Sequence, residues 1–317
     1  MGAAGRFTLH VSRFFRMSPP DPKQLLDPLT VSRAESLGLA ARFIVEGYMA
    51  GEHKSPYRGF AVEFHEHREY THGDDTRHLD WKVLGRTDRY YIKQYEQETN
   101  YVAHLLLDGS ESMKYGSGPL TKLHYGKMMA ACLAYLILYQ RDAVALGIFD
   151  TTVRDYAPRS DAKAIIHHLL TRLATFEPQG QTNIGTVLHD LALQIRRKGI
   201  VVVISDFFDE EEKILDGLQH LRFGGHEVIV FHVLDPWELE FPFTGLIEFE
   251  GLEQLPKILT RPAEIRRSYL GEMEAFRARL RSGCERNQCH YVLVNTAQPL
   301  HEVLSGYLAF RLRTTAR

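Results

Sequence analysis

The chain is poor in cysteine and has no long hydrophobic run. Its 317 residues contain only Cys132, Cys284 and Cys289, too few for a disulfide framework or a zinc ribbon, so we expect reduced thiols. No stretch of about 18 consecutive apolar residues occurs, and the N-terminal segment lacks the apolar core of a signal peptide. These absences predict a cytoplasmic protein without a membrane span.

An excess of charge of one sign is also missing. The 38 lysines and arginines nearly balance the 40 aspartates and glutamates, giving a formal net charge of −2. The chain therefore has no global attraction to nucleic acid or to an anionic membrane, and we expect neither as a partner. Its length exceeds the usual size of a single core, which predicts one large domain and a smaller one.

Two strongly apolar runs end in acidic residues. Val102–Leu107 leads into Asp108, and Ile200–Ile204 leads within two residues to Asp206. Runs this apolar are typical of strands buried on both faces, as parallel sheets require. Between and after them, helical and strand-like segments alternate, which favours right-handed crossovers around one sheet. The sequence therefore predicts an α/β, Rossmann-like domain with a mainly parallel sheet.

The predicted domain organisation has three parts. Residues 1–24, which contain three prolines, are expected to form a loose lead-in. Residues 25–98 are expected to form a helix, at Ser32–Glu46, and then a small β-rich lobe. Residues 99–313 form the α/β domain, interrupted by residues 236–262, which break the alternation and suggest a hairpin or an extended excursion.

Five side-chain oxygens are expected to converge at one edge of this sheet. Parallel strands finish on the same edge, where ligands of open α/β sheets bind. Hydroxyl and carboxylate oxygens suit Mg²⁺, Ca²⁺ or Mn²⁺ and suit zinc poorly. Asp, Gly and Ser are also ordinary turn formers, so the Asp-x-Ser-x-Ser pattern alone would also fit a plain turn. The five predicted metal ligands are Asp108, Ser110, Ser112, Thr182 and Asp206.

This pattern resembles the metal-ion-dependent adhesion site of von Willebrand factor type A domains. The likeness rests on Asp-x-Ser-x-Ser, a distant Gly-x-Thr and a later acid at a strand end. It implies that the hydroxyls bind Mg²⁺ directly and that the acids bind mostly through water. It also implies an open coordination position that accepts a carboxylate from a partner protein.

A larger part of the chain, from about Leu25 to Arg313, resembles a bacterial family catalogued as domain of unknown function fifty-eight. The resemblance implies an adaptor or substrate-binding subunit that works with a MoxR-type AAA+ ATPase and binds a client offering an acidic residue. The motifs that carry it are Gly51-Glu52-His53-Lys54-Ser55-Pro56, Arg68-Glu69-Tyr70, Gly73-Asp74-Asp75, Arg77, Asp80-Trp81-Lys82, Arg86, Tyr95-Glu96-Gln97-Glu98 and Asp235-Pro236-Trp237-Glu238.

An enzymatic function stays open as an alternative. A strand-end aspartate is the nucleophile of aspartyl-phosphate hydrolases, but Ser110 stands where their pattern places a second acid. The chain has no phosphate-binding loop for ATP and no nucleophile elbow around its serines. The expected function is therefore metal-dependent protein binding without catalytic residues. The alternatives are a metal-dependent phosphoester hydrolase that uses the same cation, and a degenerate domain whose loop is only structural.

Overall fold

The computed structural model of the chain consists of two units. Glu52–Asn100 forms the smaller unit, and the remaining residues form the larger one. The predicted helix Ser32–Glu46 and the predicted ligand Thr182 lie outside the residues that the structure describes. The structure describes residues 9–10, 62–71, 80–87, 89–97, 102–139, 141–178, 183–251 and 258–315.

The smaller unit contains two strands and one helix. Strands β2, Val62–Glu69, and β3, Tyr91–Gln97, pair antiparallel with an irregularity after Phe64. Helix α1, Trp81–Thr87, lies between them in the chain. Asp80 begins it, because its carboxylate accepts a hydrogen bond from the amide of Val83 at 3.3 Å. The strand, helix and strand predicted for this region are confirmed.

The larger unit contains the remaining elements. Its strands are β1 (Leu9–His10), β4 (Val102–Asp108), β5 (Ala143–Phe149), β6 (Val153–Ser160), β7 (Ile200–Ser205), β8 (Glu227–Leu234), β9 (Ile247–Gly251), β10 (Ile258–Thr260) and β11 (His290–Asn295). Its helices are α2 (Lys122–Tyr139), α3 (Ile165–Thr175), α4 (Ile184–Gln194), α5 (Glu211–Phe223), α6 (Pro236–Glu240), α7 (Pro262–Arg286) and α8 (Leu300–Thr315), with a 3-10 turn at Glu111–Lys114.

Six of these strands form one mainly parallel sheet in the order β11-β8-β7-β4-β5-β6. Strand β6 alone runs antiparallel to its neighbour β5. A tight turn explains this direction, since the amide of Asp150 donates to the carbonyl of Thr152 at 3.0 Å and so short a connection can join only antiparallel strands. The predicted α/β class with a mainly parallel sheet is confirmed, and the antiparallel edge strand is an addition to it.

Helices cover both faces of this sheet. Side chains of α2, α3 and α8 pack on one face, and side chains of α4, α5 and α7 pack on the other. Residues of β4, β5, β7 and β8 are buried along their whole length, which accounts for their continuous apolar runs. All three cysteines are buried. No helix among the described residues is both long and apolar enough to cross a bilayer.

The excursion after β8 has regular structure of its own. It begins with α6, whose N-terminus carries a capping box formed by Asp235 and Glu238. Strands β9 and β10 follow as an antiparallel pair. Leu9–His10, within the segment predicted to be a loose lead-in, pairs with the other side of β9. Aromatic side chains of this excursion, among them Phe241, pack against Tyr115 from the loop after β4.

Candidate metal site

The loop that follows β4 holds three of the five predicted metal ligands in one group. Asp108, Ser110 and Ser112 are each 0 % exposed. The amide of Ser110 donates to Oδ1 of Asp108 at 2.9 Å, and the hydroxyls of Ser110 and Ser112 lie 2.9 Å apart. The loop is therefore folded around its own carboxylate, with both hydroxyls directed to one place.

Asp206 reaches the same edge of the sheet through the neighbouring strand. Strands β4 and β7 are paired with Leu107 opposite Ile204, so both strands end at the same level. The hydroxyl of Ser205 donates to Oδ2 of Asp108 at 2.6 Å, and Asp206 follows it, 0 % exposed. Four of the five predicted ligands thus lie within one buried cluster.

The two acids of this cluster influence one another. Burial raises the pKa of Asp108, the charge of Asp206 raises it further, and hydrogen bonds from Ser205 and Ser110 oppose the rise, leaving a pKa of about 7. A carboxyl group away from water is costly to ionise, and a second acid nearby adds to the cost. Positive charge placed between the two acids would lower this cost.

One positive charge is already present, on Lys122 in the first turn of α2. Its side chain is fully buried, and its ammonium donates to Oδ2 of Asp206 at 2.7 Å and to Oε1 of Glu238 at 2.6 Å. The ring of Phe208 lies 4.8 Å from the ammonium. Burial alone would lower the pKa of Lys122, but the two carboxylates outweigh it and raise the pKa above its ordinary value.

Glu238 connects this cluster to the excursion after β8. Its second oxygen, Oε2, accepts the amide of Asp235 at 2.8 Å. Burial raises the pKa of Glu238, and Lys122 opposes the rise, leaving a value of about 7. Asp235 in turn accepts hydrogen bonds from the amide and the hydroxyl of Ser117. The start of α6 is therefore fastened to the loop that carries Ser110 and Ser112.

The neighbours of Thr182 are held at this edge of the sheet, although Thr182 itself lies outside the described residues. The amide of Asn183 donates to the carbonyl of Asp150 at 3.2 Å, and the amide of Ile184 donates to the carboxylate of Asp209 at 2.9 Å. On the other side of the gap, the ring of Phe176 lies where a Cβ on Gly109 would have to be. The chain therefore enters and leaves this segment beside the loops after β4 and β7.

The carboxylate and hydroxyl oxygens of the predicted site are ligands that suit a hard divalent cation. Within the described part of the chain, no group of three or more His, Cys, Asp or Glu side chains is placed to hold a metal ion. The predicted site differs from such a group, because it combines two acids with three hydroxyls. Oxygen ligands of this kind suit Mg²⁺, Ca²⁺ and Mn²⁺, so the residues present fit the ion that the sequence predicts.

Sequence reasoning missed three residues of this cluster. Lys122 begins a largely apolar helix, and a lysine there gives no sign that its partners are 84 and 116 positions away. Ser205 adjoins a predicted ligand but has no motif of its own. Glu238 did carry a signal, since Asp-Pro-Trp-Glu has the capping-box spacing that begins a helix.

A comparison with protein-family models now identifies the chain. Residues 66–279 match the family described as "Protein of unknown function DUF58". The chain belongs to the DUF58 family. Similar members include the uncharacterized proteins Mb1516 of Mycobacterium bovis and Rv1480 of Mycobacterium tuberculosis, each 28% identical over 236 residues that cover 72% of both chains. The family resemblance expected from the sequence is confirmed.

Solved structures similar to this DUF58 chain include two bacterial proteins and one isolated domain. BatB from Bacteroides thetaiotaomicron covers 68% of the chain at 16% identity and a TM-score of 0.43, with 98% of BatB aligned. An aerotolerance-related membrane protein from Bacteroides fragilis covers 66% at 18% identity and a TM-score of 0.43, with 99% aligned. The SpRpn10 VWA domain covers 66% at 13% identity and a TM-score of 0.38, with 95% aligned.

The larger unit has the mainly parallel α/β sheet that the sequence predicts, and Asp108 ends β4, one of its central strands. The loop that carries the two serines lies at the carboxyl edge of this sheet, where α/β folds bind their ligands.

Proposed function

We propose that this DUF58 protein is a protein-binding subunit that captures an acidic residue of a partner through Mg²⁺, or Ca²⁺ or Mn²⁺ in its place. Asp108, Ser110, Ser112, Thr182 and Asp206 would hold the ion. When bound, the ion would offer an open coordination position to a carboxylate oxygen. The observation that carries the proposal is the buried cluster in which four of these five side chains meet.

The charge of the cluster supports a bound cation. Four carboxyl groups are buried here, on Asp108, Asp206, Asp235 and Glu238, and Lys122 is the one buried ammonium that contacts any of them within the described residues. Buried carboxylates are stable only when they are paired or coordinate a metal. Because Lys122 forms ion pairs with Asp206 and Glu238, the carboxylate of Asp108 is stabilised by hydrogen bonds alone. An added divalent cation would satisfy it.

The hydroxyl-rich donor set supports a role in binding a partner. Two acids formally balance a divalent ion, but Asp206 is already paired with Lys122, so the ion would keep part of its positive charge at its open position. An anionic group from another protein is then favoured there, and affinity depends on that group. We place the protein in the cytoplasm and propose as its partners a MoxR-type AAA+ ATPase and a client that offers an Asp or Glu side chain.

Partner binding tests this proposal directly. The full chain is immobilised and exposed to a purified MoxR-type ATPase from the same genome. Asp108→Asn should abolish capture, whereas Asp161→Asn, which removes an exposed carboxylate, should leave it unchanged. Because the ATPase itself needs Mg²⁺ for its nucleotide, metal dependence is measured separately, as the shift in melting temperature that Mg²⁺ causes in each variant without partner.

The possible outcomes separate the parts of the proposal. A Mg²⁺ shift that disappears in Asp108→Asn, without capture of the ATPase, would retain the metal site and reject the ATPase as partner. Equal capture by Asp108→Asn and by the unaltered chain would reject the metal-dependent mechanism. Hydrolysis of p-nitrophenyl phosphate that disappears in Asp108→Asn would favour the phosphoester hydrolase instead.

A further inference from the structure

A cavity of about 330 Å³ opens at the edge of the sheet opposite to the candidate metal site. Val102 and His104, near the beginning of β4, form part of its wall, whereas Asp108 ends the same strand. Leu191 and Ile195 add apolar surface from the end of α4. Ligand cavities in proteins begin at about this volume, so the space is large enough for a small molecule.

The rest of the lining is strongly basic. Arg159, Arg196 and Arg197 contribute to it, together with Tyr156 and Gln194, and no acidic residue does. None of the three arginines has an ion pair or a side-chain hydrogen bond to another described residue. Three guanidinium groups that line one cavity without a carboxylate partner there are well suited to bind an anion. Each can donate two parallel hydrogen bonds to a phosphate or carboxylate.

Exposed arginines after a helix would not by themselves indicate a ligand, because cations there also offset the helix dipole. His104 provides the independent observation. His104 lines the cavity, its side chain is only 6 % exposed, and neither ring nitrogen has a hydrogen-bond partner among the described residues. A buried polar group without a partner is costly and calls for an explanation, such as an absent ligand.

The chemistry of His104 suits an acceptor. Burial, together with the nearby His226, lowers the pKa of His104 to about 4, so the imidazole is neutral near pH 7 and carries one N–H. An anionic oxygen in the cavity would accept a hydrogen bond from that group. The charge of the anion would be compensated by the three guanidiniums and not by the imidazole.

The loop that carries two of the arginines is held firmly in place. Ile195 is buried, and its amide donates to the carbonyl of Leu191 at 2.9 Å. Gly199 lies so close to the carbonyl of Val102 that a Cβ there would overlap it. Because both ends of the loop are fixed, its backbone is already in place before any ligand arrives, which reduces the entropy cost of binding.

We propose that this cavity binds a small phosphate-bearing ligand, whose phosphate lies among Arg159, Arg196 and Arg197 and accepts a hydrogen bond from His104. The site is separate from the candidate metal site and does not depend on it. The apolar wall and Tyr156 would contact whatever group carries the phosphate.

Calorimetric titration of the full chain tests this site. Inorganic phosphate and adenosine monophosphate serve as probes at constant ionic strength, with chloride as the nonspecific control. Arg196→Ala or Arg197→Ala should weaken binding of both probes about tenfold or more, as expected for the loss of a charge-assisted hydrogen bond. Arg267→Ala, an exposed arginine on α7, removes the same charge elsewhere and should change nothing.

A second readout depends on the buried imidazole. The ¹⁵N resonances of the His104 ring should shift on addition of phosphate, and His104→Phe should weaken binding while the melting temperature shows that the chain is folded. Tighter binding of the nucleotide than of inorganic phosphate would show that the apolar wall contributes, and equal affinity would identify the phosphate alone as the ligand. Absence of binding at millimolar probe, or equal loss in Arg267→Ala, would overturn the proposal.

Discussion

Replacement of Lys122 by methionine should strongly destabilise the protein. Methionine retains an unbranched apolar stem of similar length, so the substitution mainly removes the ammonium. Both ion pairs of Lys122 are buried, with side-chain exposures of 0 % for Lys122 and Asp206 and 2 % for Glu238. The variant therefore leaves two buried carboxyl groups without their cation.

The structure sets the expected size of the effect. Removal of one partner of a buried ion pair costs about 3–5 kcal/mol, and since two carboxyl groups lose their partner here, we expect a value near the upper limit at pH 8. Burial raises the pKa of Glu238 to about 7, so protonation of this acid relieves part of the cost and the effect should be smaller at pH 5. A triple variant that adds Asp206→Asn and Glu238→Gln should recover most of the loss, because it no longer buries the two unpaired charges.

Urea-induced unfolding followed by circular dichroism measures these differences. The matched control is Lys213→Met, which breaks an exposed ion pair with Glu210 and should cost less than about 1 kcal/mol. A cost for Lys122→Met no larger than that of the control would refute the conclusion that its ion pairs are buried and structural. Failure of the triple variant to recover stability would assign the loss to packing instead.

Three further predictions concern single residues. Gly126→Ala should destabilise the protein by about 1–3 kcal/mol, because the added Cβ would lie 2.8 Å from the side chain of Leu107 on β4. Gly271→Ala should instead stabilise α7 by about 0.5–1 kcal/mol, because its Cβ would have no atom within 4 Å. Urea unfolding measures both changes. Burial lowers the pKa of His232 to about 3. The contribution of the neutral ring to stability is therefore complete above about pH 6.5 and is lost as pH falls toward 3. His232→Phe should make the free energy of unfolding less dependent on pH over that range. Without divalent cations, Asp108→Asn should be more stable than the unaltered chain at pH 8, and this advantage should shrink toward pH 5. The reason is that the pKa of Asp108 is raised to about 7, so the cost of ionising its carboxyl group grows with pH. Melting temperatures measure the difference.

Specific results would contradict these predictions. Equal effects of the two glycine substitutions would mean that α2 does not pack tightly against β4. A pH profile that His232→Phe leaves unchanged would place the acid sensitivity in other groups. An advantage of Asp108→Asn that is larger at pH 5 than at pH 8 would mean that the carboxyl group is favoured in its ionised form, contrary to its burial.

The fold could be predicted where a local pattern decides it. The apolar runs of β4 and β7 indicate burial on both faces, and both strands are where the sequence predicts them. The direction of β6 could not be predicted, because it depends on a tight turn at Asp150 and not on the strand's own pattern. Helix α6 had a recognisable start in its capping box, but the surrounding irregular segment obscured it.

The candidate site was predictable only in part. Asp108, Ser110 and Ser112 form a motif within five residues, and Asp206 follows from the rule that parallel strands end together. The ion pairs of Lys122 bring together three distant segments, and nothing in the sequence alone indicates such pairing. The role of Thr182 stays a prediction.

Binding of Mg²⁺ to the purified chain, measured by isothermal titration calorimetry, tests the central claim most directly. The five-ligand site predicts one Mg²⁺ per chain, bound at least about tenfold more weakly by Thr182→Val and by Asp206→Asn, as expected when a metal ligand or its support is lost. The absence of binding, or one affinity shared by all three proteins, would contradict the claim that these side chains hold a metal ion.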